Sequence, residues 1–163
     1  MSIHKYVLMF LALTICLMSS AFAQTTTAGT VTRTFNFAPV GLAATETAQI
    51  NVVNLAGTSS GGTAASCTGN ISFFNSGGTA IGTATPFTVS TGQISSASLP
   101  FTKVGATTTR VEIRGQIQLT LSTTAQAPCS LEYSLETYDT TTGVTHLYLS
   151  NAAGLTAGGP FGR

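Results

Sequence analysis

Between Arg110 and Ser122 the chain alternates strictly: Val111, Ile113, Gly115, Ile117, Leu119 and Leu121 are interleaved with Glu112, Arg114, Gln116, Gln118 and Thr120. Successive side chains of an extended strand point to opposite faces, so this segment reads as a strand with one dry and one wet face. The period nearly excludes a helix. Leu131, Tyr133, Leu135 and Thr137 repeat the pattern. Upstream, Val31, Arg33, Phe35 and Phe37 share one strand face, with Pro39 and Gly41 ending the run, and residues 45–54 follow with Ile50, Val52 and Val53 on their apolar side. Residues 57–65 are a Gly/Ser/Thr loop. Cys67–Asn75 turns at Ser76-Gly77-Gly78 into residues 80–84 as a hairpin, and Pro86 breaks the chain. Residues 87–90 and 93–99 read as a second hairpin about Thr91-Gly92, and residues 99–109 as a connection crossing between sheets. Asp139-Thr140-Thr141-Thr142-Gly143 turns the chain into residues 144–149, a third hairpin. Seven or eight short strands with polar outer faces predict an all-β fold: two antiparallel sheets packed as an immunoglobulin-like sandwich. The chain has no Trp, so the likeness to antibody domains is architectural.

The N-terminus carries a different signature. A cationic start at Lys5, an apolar run from Tyr6 to Met18 and the small-residue site Ala21-Phe22-Ala23 before Gln24 are the parts of a signal peptide cleaved after Ala23. The apolar run, roughly 13 residues, falls short of the ~20 that span a bilayer, so no membrane span is expected after cleavage. Lipoprotein processing at Cys16 would need a small residue before it, where Ile15 stands. The expected organisation is a signal peptide over residues 1–23, a flexible Thr-rich tail over 24–30, a β-sandwich domain over 31–150 and a Gly-rich C-terminal tail over 151–163. Export to the periplasm, outer surface or medium is oxidising, and there the surviving Cys67 and Cys129 form a disulfide.

After Ala23, Arg33, Lys103, Arg110, Arg114 and Arg163 balance Glu46, Glu112, Glu132, Glu136 and Asp139. Nucleic acid is therefore a poor partner, because its binding rests on a basic patch. Charged residues make up 7% of the chain, against about 25% in an ordinary globular protein. Such a neutral, hydroxyl-rich surface lacks the repulsion that keeps soluble domains apart, and favours a protein that assembles or sits against another surface.

Chemistry-bearing residues are scarce. With His146 the sole histidine past the signal, the cysteines match no zinc pattern. A hydrolase would need His146 as base and Asp139 as its orienting group, and the histidine reads better as a solvent-facing or edge strand residue. Glu132 and Glu136 would stand about 13 Å apart along one strand, too wide for a glycosidase pair. Glu112 with Glu132 would serve only if their strands were neighbours. Arg110, Glu112 and Arg114 read as a solvated ladder. The Asp139–Gly143 turn has one carboxylate where a calcium loop has several, and Gly61-Gly62 and Gly77-Gly78 belong to no phosphate-loop pattern. No catalytic residue, cofactor or metal is assigned.

Taken together, Phe37-Ala38-Pro39-Val40-Gly41-Leu42, Thr47-Ala48-Gln49-Ile50-Asn51-Val52-Val53-Asn54, Arg110-Val111-Glu112-Ile113-Arg114 and Leu135-Glu136-Thr137-Tyr138-Asp139 resemble segments of uncharacterised exported bacterial β-sandwich proteins. The resemblance runs from about Phe35 to Leu149; it implies a bacterial, extracytoplasmic protein and transfers no active site. The expected function is that of a non-enzymatic secreted or cell-envelope protein acting through binding or assembly, with envelope or surface proteins, or a second copy, as partners. A strand edge such as that of Val31 to Phe37 would serve for pairing. The alternative is a small carbohydrate-binding or adhesive module, with Tyr138 and Tyr148 offering rings and Gln116, Gln118 and Thr120 hydrogen bonds; a hydrolase using His146 comes third.

Overall fold

The computed structural model describes residues 29–56, 66–122 and 129–157, with the backbone alone at 122 and 151–157. The expected signal peptide with its Ala23–Gln24 cleavage site, the tail as far as residue 28, the 57–65 loop and residues 158–163 lie outside the described residues. Within them the chain forms nine strands: β1 (Thr30–Asn36), β2 (Val40–Ala43), β3 (Glu46–Asn54), β4 (Cys67–Asn75), β5 (Ala80–Val89), β6 (Ile94–Pro100), β7 (Arg110–Ser122), β8 (Cys129–Asp139) and β9 (Thr145–Ala157). A 3₁₀ turn at Phe101–Lys103 follows β6. All pairing is antiparallel. The first sheet has the order β1-β7-β4-β5, with β2 also paired to β7; the second has the order β6-β3-β8-β9.

The alternation of β7 falls as its period demands, with Ile113, Gly115, Ile117 and Leu119 buried and Glu112, Arg114, Gln116, Gln118 and Thr120 facing out. Side chains from both sheets form one core: Ile71, Ile117 and Leu119 from the first and Ile50, Leu131 and Leu135 from the second are almost wholly excluded from solvent. Gly115 makes room for this contact, since a Cβ there would lie 2.6 Å from Cδ1 of Ile50. Cys67 and Cys129, the first residues of β4 and β8, are both buried and joined by a disulfide that staples the two sheets.

Several sequence expectations are corrected. The first run does end ahead of Pro39, with β1 closing at Asn36, but Gly41 is no stop, since it lies inside β2. Asn36 pairs with Gln116 and Val40 with Ile113, so Phe37, Ala38 and Pro39 oppose Arg114 and Gly115 in a bulge, and β2 then resumes pairing with β7. Pro86 does not break the chain either, because β5 runs straight through it as an edge strand, where a missing N–H on the outer side is tolerated. The proposed hairpin about Thr91-Gly92 is a crossover, since β5 belongs to the first sheet and β6 to the second. Its backbone groups are taken by β3: the Gly92 N–H donates to Asn54 O (2.7 Å) and the Asn54 N–H to Gln93 O (3.2 Å). The 99–109 crossing and the hairpins β4–β5 and β8–β9 stand as read. The last strand continues to Ala157, paired along β8.

Candidate functional site

On β3, β6 and β8 the outward rows contain polar side chains that are brought into register across the second sheet. Gln49 lies between Ser98 and Glu136, Asn51 between Ser96 and Ser134, and Val53 between Ile94 and Glu132. Tyr148 of β9 stands opposite Glu136. Because directly opposite side chains in a sheet are close enough to touch, this register converts three local patterns into one array. The Asn51 amide donates to Glu136 Oε1 (3.0 Å) and Ser134 Oγ (3.4 Å), while its Oδ1 accepts from Ser96 Oγ (2.6 Å) and Gln49 Nε2 (2.8 Å). Gln49 Oε1 in turn accepts from Ser98 Oγ at 3.0 Å. The amides are thus held in fixed orientations by their neighbours.

Beside this array lies a depression of about 440 Å³ lined by Asn51, Val53, Ile94, Glu132, Tyr133, Ser134 and Tyr148. Ile94 on β6 and Tyr148 on β9 come from its opposite margins and are 68% and 60% exposed. No strand of the second sheet contains Lys or Arg, although the four together carry Glu46, Glu132, Glu136 and Asp139. The strands of the first sheet hold Arg33, Arg110 and Arg114 against Glu112. Overall neutrality therefore conceals a division of charge between the two sheets.

The residues singled out from sequence do not converge. Gln116, Gln118 and Thr120 face out from the first sheet, whereas Tyr138 and Tyr148 belong to the second, so the sandwich separates the expected glycan contacts. Glu112 and Glu132 are likewise in different sheets and form no pair. Arg114, in the outer row of β7, lies over the Phe74 ring at 5.2 Å.

His146 Nδ1 pairs with Glu46 Oε1 at 2.5 Å, not with Asp139, and its side chain is about half exposed. Burial pushes the Glu46 carboxyl up, but the Ala43 N–H donated to Oε2 (2.7 Å), the His146 contact and the Arg110 charge together hold it below the usual glutamate range. Asp139 is occupied in its own turn, where Oδ1 accepts the N–H groups of Thr142 (2.7 Å) and Thr141 (3.0 Å) and the Thr142 hydroxyl (3.0 Å). The Thr142 backbone bond, followed by its hydroxyl, lowers the Asp139 pKa. The triad geometry expected of a hydrolase is therefore not formed between these two residues. Among the described residues no three His, Cys, Asp or Glu side chains are grouped as a metal site.

No family model, curated protein or solved structure matches the chain. Sequence reading missed Gln49, Asn51, Ser96, Ser98 and Ser134 as a group. Each outward row is visible in the alternation, but the signal is silent on which strands are neighbours, and the array exists only through that neighbourhood.

Proposed function

We propose that this chain is a non-enzymatic protein of the bacterial envelope or exterior, an immunoglobulin-like sandwich freed by cleavage after Ala23, that binds its partner through the outer face of β6-β3-β8-β9. The pre-ordered Gln49–Asn51–Glu136 array beside exposed Tyr148 and Ile94 carries this reading. Fixed polar groups next to an exposed ring and an aliphatic side chain are what a recognition surface requires, since little side-chain freedom is left to lose on binding. The buried inter-sheet disulfide suits an oxidising compartment.

Co-sedimentation with envelope fragments of the cells that make the protein tests the role. The mature protein pellets with the fragments, and an Asn51→Leu/Tyr148→Ala variant of unchanged circular dichroism stays in solution. Equal behaviour of the two proteins contradicts the reading.

A second reading, assembly through a strand edge, is favoured by the position of β1. The Phe37 N–H donates to Gly115 O, and because hydrogen-bonded pairs alternate, the peptide groups of Thr30, Thr32, Thr34 and Asn36 face away from β7. Arg33, in the inward row beside Val31 and Phe35, limits this edge, because a strand added there would bury its guanidinium. Sedimentation velocity separates the readings: assembly through β1 gives concentration-dependent oligomers that Thr32→Pro abolishes.

A further inference from the structure

We infer that the ligand of the second sheet's outer face is a neutral glycan segment, an inference that rests on the binding role proposed above for the same face. A pyranose presents a rim of hydroxyls and a face of C–H groups. The depression offers an acceptor and apolar contacts for these: the carboxylate of Glu132, with Tyr148 and Ile94 at the margins, around a floor where Asn51 and Ser134 are already bonded to each other. From β6 to β9 are three inter-strand steps, about 14 Å at the usual strand spacing, which suits a short oligosaccharide better than a single ring.

Charge selects the class of glycan. Carboxylates accept hydrogen bonds strongly from sugar hydroxyls, and Glu132 lines the depression while Glu136, with Oε1 already taken by Asn51 and Gln49, projects on the same face. A uronate or sulfated chain would meet those two carboxylates with no Lys or Arg on any strand of the sheet to pair with. A basic peptide is the other ligand that acidic groups attract. Glu136 Oε1, however, already accepts from Asn51 and Gln49, and Glu132 lies four residues further along β8, so the carboxylates form no concentrated acidic patch.

The test is an amide-resolved NMR titration of the full mature protein with cellohexaose, laminarihexaose and mannohexaose, with hexagalacturonate and hexalysine as charged counterparts. At least one neutral oligosaccharide is expected to shift the Asn51, Ser134 and Tyr148 signals, while hexagalacturonate leaves them in place. Tyr148→Ala weakens that binding by at least about tenfold, and Tyr148→Phe, which keeps the ring, changes it less than about threefold. The inference is overturned if no neutral oligosaccharide moves those signals, if a charged hexamer binds as tightly, or if Tyr148→Ala binds like the parent. Loss of co-sedimentation in Asn51→Leu/Tyr148→Ala without neutral-glycan binding overturns the glycan class alone. Co-sedimentation indifferent to those substitutions overturns the binding face itself.

Discussion

Asn54 is fully buried and ties three segments together: its Nδ2 donates to Val89 O at 3.2 Å, its Oδ1 accepts the Ala56 N–H at 3.0 Å, and its backbone holds the Gly92 turn. Replacing it with Leu keeps the volume and leaves Val89 O and Ala56 N–H without these partners. Asn54→Leu should therefore cost about 2–3 kcal/mol in urea unfolding. Its sequence shows only a polar residue where a strand runs out, because its partners come from β5 and the turn beyond. Glu46 carries the matching pH prediction. Its folded pKa lies below the ordinary 4.5, so the stability it contributes is fully present above that value and is lost as pH falls through the lower folded pKa. Asp139 acts in the same direction from its ordinary 3.8. Thermal unfolding should thus change little on this account from neutrality down to about pH 5 and fall below it, and Glu46→Gln should be less stable than the parent at neutrality with a shallower acid decline.

The strands themselves were the most legible feature, because a period of two survives any tertiary context that buries one face. β3, β4, β7 and β8 stand close to where alternation places them. What alternation does not reveal is whether consecutive strands pair or change sheets. Thr91-Gly92 has hairpin chemistry and is a crossover, because the buried Asn54 captures its backbone. Pro86 looks like a break and sits instead on an edge strand, where proline is compatible with pairing on one side, whereas Pro39 does fall in the gap between β1 and β2. Two predictions belong to this scale. The Cys67–Cys129 link spans 62 residues, and under the chain-entropy model its removal should cost about 4 kcal/mol, read as the difference in unfolding free energy between the parent and Cys67→Ala/Cys129→Ala. Gly69 of β4 lies so close to β7 that a Cβ would come 2.1 Å from the Gln118 backbone oxygen. Gly69→Ala should accordingly separate β4 from β7 and destabilise the protein by about 2 kcal/mol or more, with amide exchange of Asn70 and Gln118, the pair that faces across this seam, rising first.

At the scale of the whole molecule, the sandwich turns two unremarkable sequence properties into a polarity. Low net charge becomes a second sheet with no Lys or Arg on its strands set against a first sheet with three arginines, and scattered Ser, Asn and Gln become one connected array on the former. The candidate rings were legible in part: Tyr148 was named from sequence and lies at the array, whereas Gln116, Gln118 and Thr120 occupy the opposite face because β7 belongs to the other sheet. Hydroxyl-radical footprinting of the mature protein, free and bound to envelope fragments, tests the proposed face most directly. The account predicts that Tyr148 and Ile94 become protected on binding while Val31 on β1 and Phe74 on β4 oxidise as before; protection of Val31 or Phe74 with Tyr148 unchanged would contradict it.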